Sequence, residues 1–453
     1  MSNEHLIVVG GGLAGCEAAW QAAQRDIMVK LYEMRPNVLT GAHHTASLGE
    51  LVCSNSLGSM QVDRGTGLLI NEIMQLDSLL IRLATEARVP AGAALAVDRE
   101  RFSNLITQNL TNHPKILILR EEVKEIPPGN CIIASGPLTS PALADSLSHF
   151  SGEDNLFFFD AIAPIISGDS INLEKAFWGS RYGRGEEKGG DYLNCPLTRE
   201  EYGHFIVELV NAERINLREF EKNITIGVKA GAGAFFERCL PVETLASRGE
   251  KSLAYGPMRP TGLTDPRTGC WPYAVIQLRH EDLAGESYNL VGFQTNLTFS
   301  EQERVLRLVP ALEKAVFHRH GQMHRNTFLS APKILYSTLQ TKKRPDLFFA
   351  GQLIGVEGYA GNIASGLVAG VNAARFIKGE NMLQFPKETM LGAMLHYISS
   401  ADPEHFQPMK ANFGLLPEIY SPKKMQKVQK YQIKAEKAMQ AILEIAGRAR
   451  DAQ

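Results

Sequence analysis

The chain reads as an α/β protein, a Rossmann-type nucleotide-binding domain interrupted by an inserted α+β domain. Three observations carry that reading. A short apolar strand, a glycine-rich turn and an alanine-rich helix open the chain. The same succession returns near residue 350, and between the two the composition shifts to polar, glycine-rich segments with short strand-like runs.

The opening unit is specific. His5 to Val9 reads as a strand and runs straight into Gly10-Gly11-Gly12-Leu13-Ala14-Gly15, followed by the helical pattern CEAAWQAAQRD. Ile27 to Tyr32 gives a second apolar strand that ends at Glu33. A GxGxxG run is weak evidence alone, but between a strand and a helix it has a mechanism. Gly10 permits the tight turn, Gly12 lets the backbone approach a pyrophosphate, and Gly15 lets helix and strand pack closely. The unpaired N–H groups of the helix start face the phosphates, and Glu33 is placed to accept from ribose hydroxyls.

The late segment, Asp346 to Gly379, selects the cofactor. It predicts a strand, a second glycine-rich turn at Ala350-Gly351-Gln352 and Gly355, and a helix starting near Asn362. FAD proteins of the glutathione-reductase-like class close their site in this way, and a helix N-terminus aimed at the flavin stabilises its anionic reduced form. Tyr359, in the same turn, is positioned to stack on a flavin or pterin ring.

The expected organisation is a discontinuous FAD-binding domain over 1–155 and 326–400, an insertion over 156–325, and an extension over 401–453. ITIGV, YAVIQL and YNLVGF predict strands in the insertion. Helical periodicity spans Leu68 to Ala87, Cys131 to Ala134 predicts a strand, and the extension is basic and helical from about Ser421.

The 453 residues carry a formal net charge of -2, which excludes a protein that binds nucleic acid by being basic all over. Any RNA contact must use local patches: Arg304 to Arg325, Lys342-Lys343-Arg344 and the C-terminal lysines. Six cysteines without a Cys-x-x-Cys pair argue against a zinc ribbon or a thioredoxin-like motif. No signal peptide and no spanning apolar run is expected, so the cytoplasm is the expected compartment. Cys16, Cys131, Cys195 and Cys270 are expected to be structural, whereas Cys53 and Cys239 stand in loop-like contexts.

VVGGGLAGCEAA, ELVCSNSLGS, GGDYLNCPL, FERCLPVE, YGPMRPTGLTDPRTG, PYAVIQLRHED, LVGFQTNLTFSEQERV, GQMHRNTFLSAP, GQLIGVEGY and FQPMKANFGLLP are long and idiosyncratic. Through them most of the chain resembles the folate- and FAD-dependent tRNA (uracil-5-)-methyltransferases. The larger GidA-like flavoproteins, which modify the wobble uridine, share the architecture and give the alternative reading, with a plain NAD(P)H-dependent flavin oxidoreductase as a third. Two departures stand out: Ala360-Gly361-Asn362 replaces a frequent Val-Glu-Ser run, and Gly58 stands where a basic residue is common.

The resemblance implies methylation of C5 of the T-loop uridine to ribothymidine. Methylenetetrahydrofolate would donate the carbon and leave as tetrahydrofolate, reduced FAD would be reductant and carbon carrier, and NAD(P)H would reduce the flavin. It implies Cys53 as the nucleophile and Cys239 as its catalytic partner or the C5 base. Gly10, Gly11, Gly12, Leu13, Ala14, Gly15, Glu33, Gly351, Gln352, Tyr359 and Asn362 would hold FAD, with no metal. The expected partner is the tRNA T-arm, read by shape with its uridine turned out of the stack, with no membrane and no obligatory protein partner.

Overall fold

The computed structural model describes residues 5–152, 156–183, 189–215, 240–419 and 426–450. A central sheet of five parallel strands runs in the order Leu347–Phe349, Cys131–Ile133, His5–Val9, Met28–Tyr32 and Ile116–Leu119. Helices cover such a sheet on both faces, which explains its continuous apolar runs, CII and LFF among them. All five strands are parallel, so the turns after Val9, Tyr32, Ile133 and Phe349 open at one edge. Ligands of open α/β sheets bind at that edge.

Two helices meet over this sheet, Leu13–Ala23 and Tyr359–Ile377. Their approach depends on missing side chains. A Cβ on Gly366 would lie 2.1 Å from the Ala14 carbonyl oxygen, and one on Gly370 would lie 2.4 Å from that of Ala18. The late helix starts at Tyr359, three residues before the expected Asn362, because Gly358 at φ 84 turns the chain into it.

The helical pattern over Leu68 to Ala87 is two helices, Gly65–Gln75 and Leu79–Glu86. Asp77, at φ 58, breaks the run, and the buried Glu17 carboxylate accepts from the Ser78 hydroxyl (3.0 Å) and Leu80 N–H (2.9 Å) at the second start. Glu72 serves the helix Met390–Ser400 in the same way, accepting from Met390 N–H (2.7 Å) and Leu391 N–H (2.8 Å). Periodicity cannot register a break whose cause is a carboxylate distant in sequence.

The insertion holds a six-stranded antiparallel sheet, ordered Phe177–Trp178, Leu193–Leu197, Ala274–His280, Ser287–Leu290, Ile165–Ser167, Phe317–Arg319. YAVIQL and YNLVGF fall on two of these strands, and ITIGV lies outside the described residues. The helix Arg199–Asn211, closed by a Thr198–Glu201 capping box, packs Tyr202, Phe205, Ile206 and Leu209 into this domain's core. The chain enters and leaves through the antiparallel pair Leu156–Ala161 and Met323–Phe328. One apolar core draws on residues 6–147 and 328–446, and a second on residues 166–315. The C-terminal helix, Lys427–Arg450, buries Ala435, Ala438, Ile442 and Ile445 in the first core. Among the described residues no helix is long and apolar enough to cross a membrane.

Candidate active site

The opening turn has the backbone its glycines predict. Gly10 sits at φ 108, where a Cβ would lie 2.5 Å from the Ala134 carbonyl oxygen, and a Cβ on Gly15 would lie 1.9 Å from that of Gly10. Gly12 has no neighbour within 4 Å of its missing Cβ, so space is left above the backbone where a phosphate would rest. Neither this helix nor Tyr359–Ile377 has a side-chain cap or an acid in its first turn. Both starts therefore present unpaired N–H groups and partial positive charge to the cleft.

That cleft is lined by Gly10, Gly11, Gly12, Leu13, Ala14, Glu33, Gly351, Gln352, Tyr359 and Asn362. Gly15 stands behind it as packing. Glu33 is held on two sides, accepting from Gly11 N–H at 2.9 Å and from Arg35 Nε at 2.8 Å. Burial pushes its carboxyl up, but the hydrogen bonds and charge of Arg35 outweigh burial and hold it below the usual glutamate range. The buried Arg35 in turn bonds Glu50 (2.9 Å), whose carboxylate folds the following loop through the N–H groups of His44 and Thr45. Sequence reasoning missed Arg35 and Glu50, and Arg35, two residues past Glu33, was the available signal.

An FAD fits these residues. The open space at Gly12 is a cradle that a Cβ would fill, and two helix starts face the cleft. Asn362 Oδ1 is buried without a hydrogen-bond partner among the described residues, an acceptor left for a donor from outside the chain.

A second cleft adjoins the first, and Val52, Pro137, Leu138, Gln352, Tyr359 and Asn362 line both. Cys53, Glu357 and Lys410 line the second. Tyr359 joins the two clefts, because its hydroxyl accepts the Cys53 backbone N–H at 2.8 Å. Asn55, two residues on, is fully buried and donates to the carbonyls of Val97 (2.9 Å) and His280 (2.8 Å).

Cys239 lies outside the described residues. Cys16, Cys131 and Cys195 are buried, and burial pushes their thiols up, that of Cys131 to about 12. Cys270, expected to be structural, is exposed in a turn.

The basic segments are largely engaged within the chain. Arg304 pairs with Glu208 and Glu301, and Arg307 with Glu303 and the Ala315 carbonyl. Lys342, Lys343 and Arg344 all donate to backbone carbonyls. Arg319, counted from the sequence as a surface cation, reaches inward and donates to the Val52 carbonyl at 2.8 Å.

Fold and site define an FAD-binding flavoprotein. The chain belongs to the Glucose inhibited division protein A family, whose model matches residues 5–381. Within it the chain belongs with the relatives named methylenetetrahydrofolate–tRNA-(uracil-5-)-methyltransferase TrmFO. It is 53% identical to the one from Exiguobacterium sibiricum, over 97% of this chain and 98% of that one. It is also 53% identical to the one from Pelotomaculum thermopropionicum, over 98% of each. Among solved structures, Aquifex aeolicus GidA superimposes with a TM-score of 0.69 at 16% identity, covering 98% of this chain and 73% of that one, a likeness of fold.

Proposed function

We propose that this chain methylates C5 of a uridine in the tRNA T-loop, taking the carbon from methylenetetrahydrofolate and electrons from NAD(P)H, in the cytoplasm where these substrates occur. Family membership supports the reaction type, and the observation that carries the site assignment is the Cys53–Tyr359 contact. It fixes a cysteine at the wall between the nucleotide cleft and a cleft with room for substrate.

When bound in the first cleft, FAD supplies the reducing electrons and a carrier for the one-carbon unit. The chain's own groups do the rest. The Cys53 thiolate adds to C6 of uracil, which makes C5 nucleophilic, and leaves again once C5 has lost its proton. Cys239 is the proposed partner or base for that proton. Gly10–Ala14 and the start of Tyr359–Ile377 would orient the diphosphate and ring, and Glu33, pinned by Arg35, would accept from the ribose hydroxyls.

The test is incubation of purified protein with unmodified tRNA, methylenetetrahydrofolate and NADPH, followed by nucleoside analysis. Ribothymidine is expected with wild type and not with Cys53→Ala. Covalent trapping of tRNA bearing 5-fluorouridine by both Cys53→Ala and Cys239→Ala would show that thiol catalysis is wrong.

A further inference from the structure

Three aromatic rings of the insertion stand nearly parallel beside the second cleft. His320 stacks on Phe317, with centroids 5.2 Å apart and an interplanar angle of 2°. It stacks on Phe299 as well, at 4.7 Å and 19°. The Arg307 guanidinium lies over Phe317, 5.9 Å from the ring centroid. The run therefore ends in Phe299, the first residue of the helix Phe299–Leu306, and this ring is 45% exposed. Phe317 packs against the apolar core of the domain, whereas Phe299 stands outside it.

The stack is anchored to the cleft wall. Gln302, on the same helix as Phe299, accepts the Gly321 N–H at 2.7 Å and donates to the Gly321 carbonyl at 2.9 Å. Gly321 follows His320 and abuts Ile162, since a Cβ on it would lie 2.6 Å from the Ile162 carbonyl oxygen. Ile162 lines the second cleft. Arg319, which precedes His320, donates to the carbonyl of Val52, a residue that lines both clefts.

We propose that Phe299 is a stacking platform for an unpaired base of the T-loop beside the target uridine. The inference rests on the reading of the second cleft as the place where that uridine is methylated. Turning a base out of an RNA loop breaks its stacking with its neighbours. A ring on the cleft rim restores that contact for the neighbour left behind, because every base offers a π face. The surroundings of the ring favour a base over a protein surface. Thr298 and Ser300 flank it, so the apolar patch is one ring wide, too small for a protein interface. The cations nearby are taken: Arg304 pairs with Glu208 and Glu301, and Glu303 holds Arg307 and His320. With its cations paired, this rim has little pull on phosphates, and what it offers RNA is the exposed ring.

The experiment is binding of an unmodified T-arm RNA hairpin to the FAD-loaded protein, at fixed salt and without folate. The hairpin carries 2-aminopurine, placed in turn on each side of the target uridine. Wild type is expected to bind and to quench the fluorescence from one of the two positions, as a base stacked on a ring is quenched. Phe299→Ala should abolish that quench and weaken binding about 5- to 150-fold, the range for losing one base–aromatic stack, with KM for tRNA rising accordingly. Phe299→Trp should keep affinity and quench, and Phe299→Leu, apolar but without a π face, should keep neither. Flavin content and Tm should match wild type in all three, because the ring lies outside the core and the nucleotide cleft. A loss that leucine repairs as well as tryptophan overturns the platform. Equal binding by wild type and Phe299→Ala overturns the platform alone, whereas a wild-type protein that ignores the hairpin overturns the proposed reaction with it.

Discussion

The hydroxyl of Tyr359 accepts the backbone N–H of Cys53 across 306 residues of sequence, at 2.8 Å. Tyr359 is the first residue of the late helix, so the loop bearing the proposed nucleophile is tied to the element that closes the nucleotide cleft. Removing the hydroxyl leaves the ring and loosens the loop. Tyr359→Phe is expected to bind FAD normally and to lower kcat up to about tenfold, since one such bond contributes about 1 kcal/mol. Steady-state kinetics beside a flavin titration checks this, and an unchanged kcat would mean that the contact does not serve catalysis.

Gly12 and Gly15 separate binding from packing. A methyl at Gly12 meets open space, so Gly12→Ala should keep its Tm in flavin-free protein yet purify with much less flavin. A methyl at Gly15 meets the Gly10 carbonyl oxygen at 1.9 Å, so Gly15→Ala should lose about 1–3 kcal/mol of stability as well. Visible absorbance and thermal melts of the two variants check the contrast. Equal flavin content in Gly12→Ala and wild type would place the diphosphate elsewhere.

Arg35 joins Glu33 to Glu50 while almost wholly buried. Arg35→Met leaves two carboxylates without their shared partner and should cost about 3–5 kcal/mol, measured by denaturant unfolding. A cost below about 1 kcal/mol would show that the network is not a structural keystone.

Burial pushes the Glu72 carboxyl up, from an ordinary 4.5 to about 8, against the two N–H groups that favour its ionised form. Between those values the unfolded chain has released a proton that the folded chain keeps. Stability from this group is therefore complete below the lower value and falls as pH rises toward the upper one, by up to about 1.4 kcal/mol per pH unit. Glu72→Gln should flatten that slope in denaturant melts recorded across the window. A variant slope identical to wild type would mean that Glu72 ionises normally.

tRNA binding is expected to weaken steeply as salt rises, because phosphate contacts release counterions. Affinity measured over a salt series checks this, and a flat response would remove electrostatic docking of the T-arm.

The nucleotide half of the site was legible because it is local. Strand, turn and helix lie within thirty-odd residues; Gly15 meets the Gly10 carbonyl inside that unit, and Gly10 meets Ala134 at the end of the neighbouring strand. Of the second cleft the sequence singled out Cys53, which lines it. Arg99, Arg279 and Arg319 gave no shared pattern, because they stand on three separate segments brought together by the packing of the insertion on the first domain. Arg319 looked like one of several surface cations, and only its bond to Val52 distinguishes it.

The sequence by itself determined the βαβ opening, the flavin class and the family, since backbone conformation and hydrophobic period are properties of neighbouring residues. The tertiary structure decided which polar groups face one another: that Glu17 and Glu72 cap helices far along the chain, that Tyr359 holds the Cys53 loop, and that Arg99, Arg279 and Arg319 converge on that loop. Electrostatic energy depends on distance in space and on burial, and neither is written in the order of residues.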